Sequence, residues 1–421
     1  MLDRIKQEAM QGKALLLFVA LKATGQALAM IAPLVIAKFF SPGLFGSYSL
    51  AKMLIFFFVS LFISSIQVPF VVYGGRERAA TGKINRTFTV QCVFLAVSLV
   101  LFLLMVLVSG KYVMSFAQIS KMNLFFLCLA FLGISSESFL SNLFLATGQR
   151  TQHSLVEFFF GLCSLLLILG LRLVGWINLN SAFLIYSLSA IIVIFSFIRC
   201  VDFKVLLPIV WDREYFRDNF TFTKWVLLGA SSVYLVNWGD NIVLRYYVPM
   251  DDIGIYNFAY QIFKGMTMLT FVVVHYFMPF ASTRIDDKQA IRAYLASKRP
   301  KAFLLGLAPI CVLFVFAPYL IKTVYGGVYD NSIGILRILL IGCVPALYSG
   351  FYSPLLYALE RYRFAQCADA AQAVANILLD LALVWRIGVY GAAVATLIAC
   401  CGRTVMLEVY FRKQVAPLFD A

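Results

Sequence analysis

Apolar residues run along this chain in long stretches broken by short polar intervals. Twelve such runs predict twelve helices, near residues 13–37, 44–72, 87–109, 121–147, 154–174, 178–199, 221–247, 253–281, 301–321, 332–358, 366–386 and 388–411. Most match or exceed the roughly 20 residues a helix needs to cross a bilayer. The first, from Ala14 to Ile36, is too long for a signal-peptide core and is followed by no A-x-A site, so it reads as a retained span. Inside several runs polar side chains recur at helical spacing. Asn237, Asp240, Asn241 and Arg245 share an arc of the seventh run, and Tyr256, Tyr260, Lys264 and Thr267 form a stripe on the eighth. Tyr48 and Lys52 make a shorter version on the second; Asp369, Gln372, Asn376 and Asp380 recur on the eleventh. Each stripe can face inward while the rest of its helix stays apolar.

Composition carries the same message. Of 421 residues, 62% are hydrophobic and 13% charged, with mean hydropathy +0.89. Soluble domains are about 45–50% apolar and about 25% charged. Such a chain cannot cover its surface with polar groups, so part of its solvent is lipid. The nine cysteines sit almost entirely in apolar runs without a C-x-x-C pair, which predicts inert thiols. Two histidines, His153 and His275, are too few for a histidine-based metal site.

Lysine and arginine set the orientation, because basic loops are retained on the cytoplasmic side. With the intervals numbered alternately, one side collects 22 basic residues, including Arg4, Lys6, Lys13 and the six between 282 and 301; the other collects 6. Both termini are therefore expected in the cytoplasm. The asymmetry accounts for most of the +15 net charge, so no nucleic-acid partner is needed to explain it.

One phrase occurs twice. "FFSPGLFGSYSLAK" from Phe39 and "YYVPMDDIGIYNFAY" from Tyr246 share an aromatic pair, a proline and Gly-x-Tyr-x-x-Ala; Gly46 and Gly254 are 208 positions apart. "FLSNLFLATGQR" from Phe139 and "FYSPLLYALERY" from Phe351 echo each other at offset 212. Two echoes at nearly one offset predict an internal repeat. Six spans per copy means that both copies enter the membrane from the same side. The expected fold is an all-α polytopic membrane protein: twelve transmembrane helices in two six-helix lobes related by a pseudo-two-fold axis along the membrane normal. The lobes are expected at 1–200 and 221–421, joined by a cytoplasmic linker at 201–220.

A charged side chain at the bilayer centre costs about 2.5–3.5 kcal/mol. Lys22, Lys52, Lys264, Arg337, Glu137, Asp240 and Asp380 nevertheless fall inside spans, and Arg245 near the end of one. They are expected to face protein or an aqueous cavity. Some admit local readings too: Lys52 can snorkel, and Asp240 can pair with Arg245. Glu157 and Asp369, one repeat offset apart near the starts of their spans, are expected to form an inner gate or to support their helix N-termini.

Chemistry of other kinds is missing from the pattern. There is no G-x-x-x-x-G-K-[ST], H-E-x-x-H or G-x-S-x-G, and no polar interval is long enough for a catalytic domain. Transport without a cofactor or metal is the simpler expectation.

At "FFSPGLFGSYSL" and "GDNIVLRYYVPMDDIGIYNFAY" the chain resembles the polysaccharide flippase family, whose bacterial members are the Wzx-type O-antigen and capsule-repeat flippases. These share a superfamily with multidrug exporters and lipid II flippases. The residues that carry the resemblance are Asp240, Pro249, Asp251, Asp252, Gly254 and Tyr256, with "ATGQR" at Ala146 and "ALERYR" at Ala358. It implies a non-enzymatic transporter of the bacterial inner membrane that works by alternating access through a basic cavity. The implied substrate is an oligosaccharide on undecaprenyl diphosphate, moved to the periplasmic leaflet with a proton or sodium ion as coupling ion. Membrane lipid and other glycan-assembly membrane proteins are implied partners. On this resemblance Lys22, Lys52, Arg245 and Lys264 hold the anionic head group. Arg337, Asn237, Asn241, Tyr48, Tyr256 and Tyr260 line the same cavity, and Asp240, Glu137, Glu157, Asp369 and Asp380 are left for ion coupling or gating. A multidrug-type exporter is the alternative. A non-transporting scaffold would leave the intramembrane charges without a role. A sugar carrier of the major facilitator type would need a loop motif that "YGGRERAATGKINR" lacks.

Overall fold

A computed structural model describes residues 2–359 and 361–420. Side-chain surroundings are described for all of these except 2–19, 225, 269–275, 278, 279, 282, 283, 362 and 420. The side chains of Arg4, Lys6, Lys13 and His275 therefore lie outside the described residues. Among the described residues every regular element is a helix. In order these are α1 (Leu2–Phe39), α2 (Pro42–Phe58), α3 (Ser65–Thr81), α4 (Asn85–Ala117), α5 (Lys121–Ala146), α6 (Arg150–Leu173), α7 (Leu179–Phe197) and α8 (Phe203–Leu206). They are followed by α9 (Arg213–Tyr247), α10 (Met250–Arg284), α11 (Lys288–Ala293), α12 (Arg299–Tyr325), α13 (Ser332–Gly350), α14 (Ser353–Ala358), α15 (Tyr362–Ile387), α16 (Val389–Tyr410) and α17 (Pro417–Asp420).

All twelve expected runs are helical, with differences that have local causes. The second run is continuous from α2 into α3 through a widened π turn, Val59–Ser64. It ends beside Ser65, the residue whose carbonyl faces the ring of Pro69 one turn on, and proline cannot bond back to it. The tenth run breaks into α13 and α14 because Pro354 supplies no N–H for the Gly350 carbonyl. Ser120 with Asn123 and Asn178 with Ser181 form capping boxes that start α5 and α7 sharply. Among the described residues ten helices are long and apolar enough to cross a membrane. Their outward faces are apolar: Leu107 and Val108 are 80% exposed, Phe195 76% and Leu305 78%. Side chains of this kind at this exposure call for lipid rather than water.

The helices form two compact units. The first holds residues up to 40 and 47–234. Its aromatic centre stacks Phe102 on Phe131, with Phe58 set edge-on to both. α1 and α6 run close together because Gly25 and Gly161 face the opposite helix; a Cβ on either would come within 2.9 Å of it. The 201–220 segment packs on this unit. Val205 accepts from the Ile84 amide at 3.0 Å, Arg86 pairs with Asp212 at 3.2 Å, and the Thr87 and Tyr215 hydroxyls meet at 2.7 Å. Glu77 secures the receiving loop by accepting from the amides of Arg86 and Thr87 and from the Thr87 hydroxyl. These orphan donors at the start of α4 would otherwise lack partners.

The second unit holds residues 41–46 and 235–421. Ile335, Leu336, Leu339 and Leu340 of α13 are fully buried in it. Here the two copies of the repeated phrase touch. A Cβ on Gly254 would fall 1.8 Å from the Pro42 carbonyl oxygen, and one on Gly46 would fall 2.4 Å from that of Met250. Only glycine lets these two first turns nest at backbone distance. None of the nine cysteines forms a disulfide.

Candidate functional site

In the second unit three stretches of polar residues meet around Asp240, which is buried at 1% exposure on α9. The Tyr256 hydroxyl of α10 donates to its Oδ2 and the Asn376 amide of α15 to its Oδ1; Thr396 of α16 donates to Oδ2 at 3.2 Å. Asp380, one turn after Asn376, lies close enough to Asp240 for the two carboxyls to act on each other electrostatically. It is fully buried, and neither of its oxygens meets a donor among the described residues. The Asn376 oxygen also lacks a donor among the described residues. Two carboxylates in dry surroundings repel one another strongly, and a cation or a shared proton relieves the repulsion. The available donor set is all oxygen, suited to a hard cation. Thr396 is the member of this group that no helical stripe singles out. It is one threonine in an apolar helix.

Two of the lysines expected in the site stand over aromatic rings. Lys264 Nζ lies 3.8 Å from the centroid of Trp238 and 5.0 Å from that of Tyr260. Lys52 Nζ in the first unit lies 5.5 Å from Phe56 and 5.9 Å from both Tyr48 and Tyr186. Tyr48 and Tyr186 join hydroxyls at 2.6 Å. Aromatic faces hold an ammonium through the ring quadrupole without neutralising it. Tyr48, Tyr256 and Tyr260 are themselves buried, so their ring faces are covered by protein rather than open to a cavity. Their place in the helical stripe was legible; their burial was not. Trp238 and Tyr186, which complete the two cages, were not singled out by sequence.

The remaining residues separate by unit. Lys22 donates to Glu157 at 3.2 Å and meets His153 at 2.8 Å, and Glu137 is buried near this pair. Asp369 is paired with Arg403 at 2.6 Å, and that arginine also donates to Ser349. Glu157 and Asp369 are thus each engaged inside their own unit. Arg337 lies over Phe314 at 5.3 Å with its Nε buried and without an acceptor among the described residues. Asn241 accepts from Asn257 at 2.6 Å, and Asn237 and Arg245 are half-buried on α9.

The sequence pattern that defines the polysaccharide biosynthesis proteins matches residues 35–334, most of the chain. The chain belongs to that family. A probable low-salt glycan biosynthesis flippase, Agl15 of Haloferax volcanii, is 22% identical over 206 residues, covering 48% of this chain and 44% of that protein. An uncharacterized membrane protein of Methanocaldococcus jannaschii, MJ1068, is 20% identical over 221 residues, covering 50% and 43%. The chain thus spans less than half the length of these curated relatives. Among solved structures, the lipid II flippase MurJ in an inward closed conformation has a TM-score of 0.77 at 14% identity, covering 96% of this chain and 89% of that one. An inward-facing multidrug resistance transporter of the MATE family has a TM-score of 0.78 at 12% identity, covering 96% and 98%. The family member described here therefore has the all-helical membrane fold of these transporters.

Proposed function

We propose that this chain is a flippase for lipid-linked oligosaccharide, carrying an anionic diphosphate head group across the bacterial inner membrane with a cation as coupling partner. Undecaprenyl diphosphate bearing an O-antigen or related repeat unit is the substrate this reading implies. Both termini lie in the cytoplasm on this reading. The observation that carries it is the pair of lysines, Lys52 and Lys264, each kept inside the membrane by aromatic rings. A cation held this way keeps its charge and can exchange ring contact for a phosphate oxygen. Tyr48 and Tyr260 serve as walls of these cages rather than as sugar platforms. The Asp240 and Asp380 carboxyls, with Asn376 and Thr396, provide the coupling site for sodium or a proton. Arg245 and Arg337 are secondary contacts for the head group.

The multidrug-exporter reading has equal support from fold, since the two TM-scores are nearly the same. Charge separates the two readings: a route lined by lysine and arginine repels cationic drugs and attracts diphosphate.

Lys264→Ala, tested in cells that depend on this gene for a surface polysaccharide, is expected to accumulate lipid-linked repeat units on the cytoplasmic leaflet at unchanged protein level. Normal surface glycan in that variant removes Lys264 from the mechanism. Normal glycan after deletion of the gene removes the flippase reading.

A further inference from the structure

Where α1, α5 and α6 of the first unit meet, four ionisable side chains converge: Lys22, Glu137, His153 and Glu157. Their hydrogen bonds fix the state of the imidazole. An ammonium only donates, so Lys22 Nζ, 2.8 Å from His153 Nε2, requires that nitrogen to be unprotonated. The ring proton then sits on Nδ1 and is donated to the Ser141 carbonyl at 2.9 Å; the Ser141 hydroxyl lies 2.8 Å from the same nitrogen. Lys22 also donates to Glu157 Oε1, itself 3.4 Å from Nε2. Glu157 Oε2 is buried and meets no donor among the described residues. From α5, the buried Glu137 carboxyl lies close enough to feel the charges of Glu157 and Lys22, and α7 brings no charged side chain. The imidazole is 3% exposed, whereas the Lys22 and Glu157 side chains are 32% and 26% exposed.

We propose that His153 is a proton-operated latch on Lys22. Glu157, partly exposed, passes a solvent proton to Nε2. Two positively charged N–H groups then lose their mutual hydrogen bond and compete for the one acceptor, Glu157 Oε1. The new Nε2–H turns to Glu157 Oε1, and the Lys22 ammonium moves to the solvent side, where it can bind a phosphate-bearing anion. One O–H bond forms and breaks at Glu157, one N–H bond forms at Nε2, the carboxylate is regenerated, and the ammonium is released from its contact with the ring. Linkage makes the effect reciprocal: an anion that draws Lys22 away opens Nε2 to a proton, so each promotes binding of the other. The identity of the anion rests on the flippase reading; the latch does not.

The test uses the purified full chain and farnesyl diphosphate as the probe. Its affinity is expected to weaken about fivefold or more between roughly pH 5.5 and 8. The ligand's own second ionisation, near pH 6, acts in the opposite sense because it adds charge as pH rises. In His153→Gln the amide oxygen accepts from Lys22 at every pH, and the weakening disappears. Because that variant can misfold, a second measurement uses His275→Gln, which leaves one imidazole for magnetic resonance. Adding farnesyl diphosphate near neutral pH is expected to raise the protonated fraction of that ring, and the rise is lost when Lys22→Met is added. A wild-type affinity independent of pH, no binding at any pH, an unmoved imidazole signal, or a rise that persists without Lys22 each overturns the latch. If gene deletion leaves surface glycan intact while the proton–anion linkage holds, the flippase reading fails and the latch stands.

Discussion

At the residue scale the most informative side chain is Asp380, buried, beside a second carboxyl, and without a donor for either oxygen among the described residues. A carboxyl without a donor in this position has a cost that a purely structural role would not sustain, because asparagine fits the same space and could donate. Asp380→Asn is therefore expected to leave the fold intact. It should abolish the dependence of translocation on an ion gradient in proteoliposomes, with a loss of roughly 5–150-fold in driven flux. Retention of gradient-driven transport in that variant would assign coupling elsewhere. Arg403, Trp238 and Tyr186 show a second point at this scale. Each completes a charged contact begun by a residue that the helical stripes identified, and each lies on a different helix.

At the element scale, α2 and α10 begin with the same phrase because their first turns must fit together. Proline sets the start of each helix, and glycine removes the side chain at the point of contact. Gly254→Ala would place a methyl group inside the Pro42 carbonyl, so it is expected to lower the yield of folded protein sharply. Gly265→Ala, on the same helix with open space around the added carbon, is the control. It is expected to be neutral or to stabilise by about 0.5–1 kcal/mol through helix propensity. Size-exclusion profiles and thermal unfolding in detergent compare the two. Equal behaviour would show that the close approach is not required.

At the scale of the whole molecule, charge asymmetry predicts which ends of the helices face the cytoplasm. In a chain cleared of its nine native cysteines, Asp286→Cys is expected to resist an impermeant maleimide in intact cells and to react after permeabilisation. Trp176→Cys, in the turn between α6 and α7, is expected to react from outside. The reverse pattern would invert the topology and, with it, the direction of transport.

The sequence alone determined the membrane setting, the helix positions and the repeat. These depend on properties that add up locally: a run of apolar residues is a span whatever its neighbours are, and a period of 3.6 puts Asn237, Asn241 and Arg245 on one arc. It also brought the carboxylates within spans forward, since a charge inside an apolar run stands out without a partner being known. Only the tertiary structure decided the partners. Asp240 is met by Thr396 from 156 residues away, and Lys22 by His153 from 131. Nothing in a one-dimensional pattern encodes which helix packs beside which. Glu157 and Asp369 show the consequence: alike in register, they pair with a lysine and an arginine on different neighbours, because helix packing, not spacing, chooses the ion that each carboxylate meets.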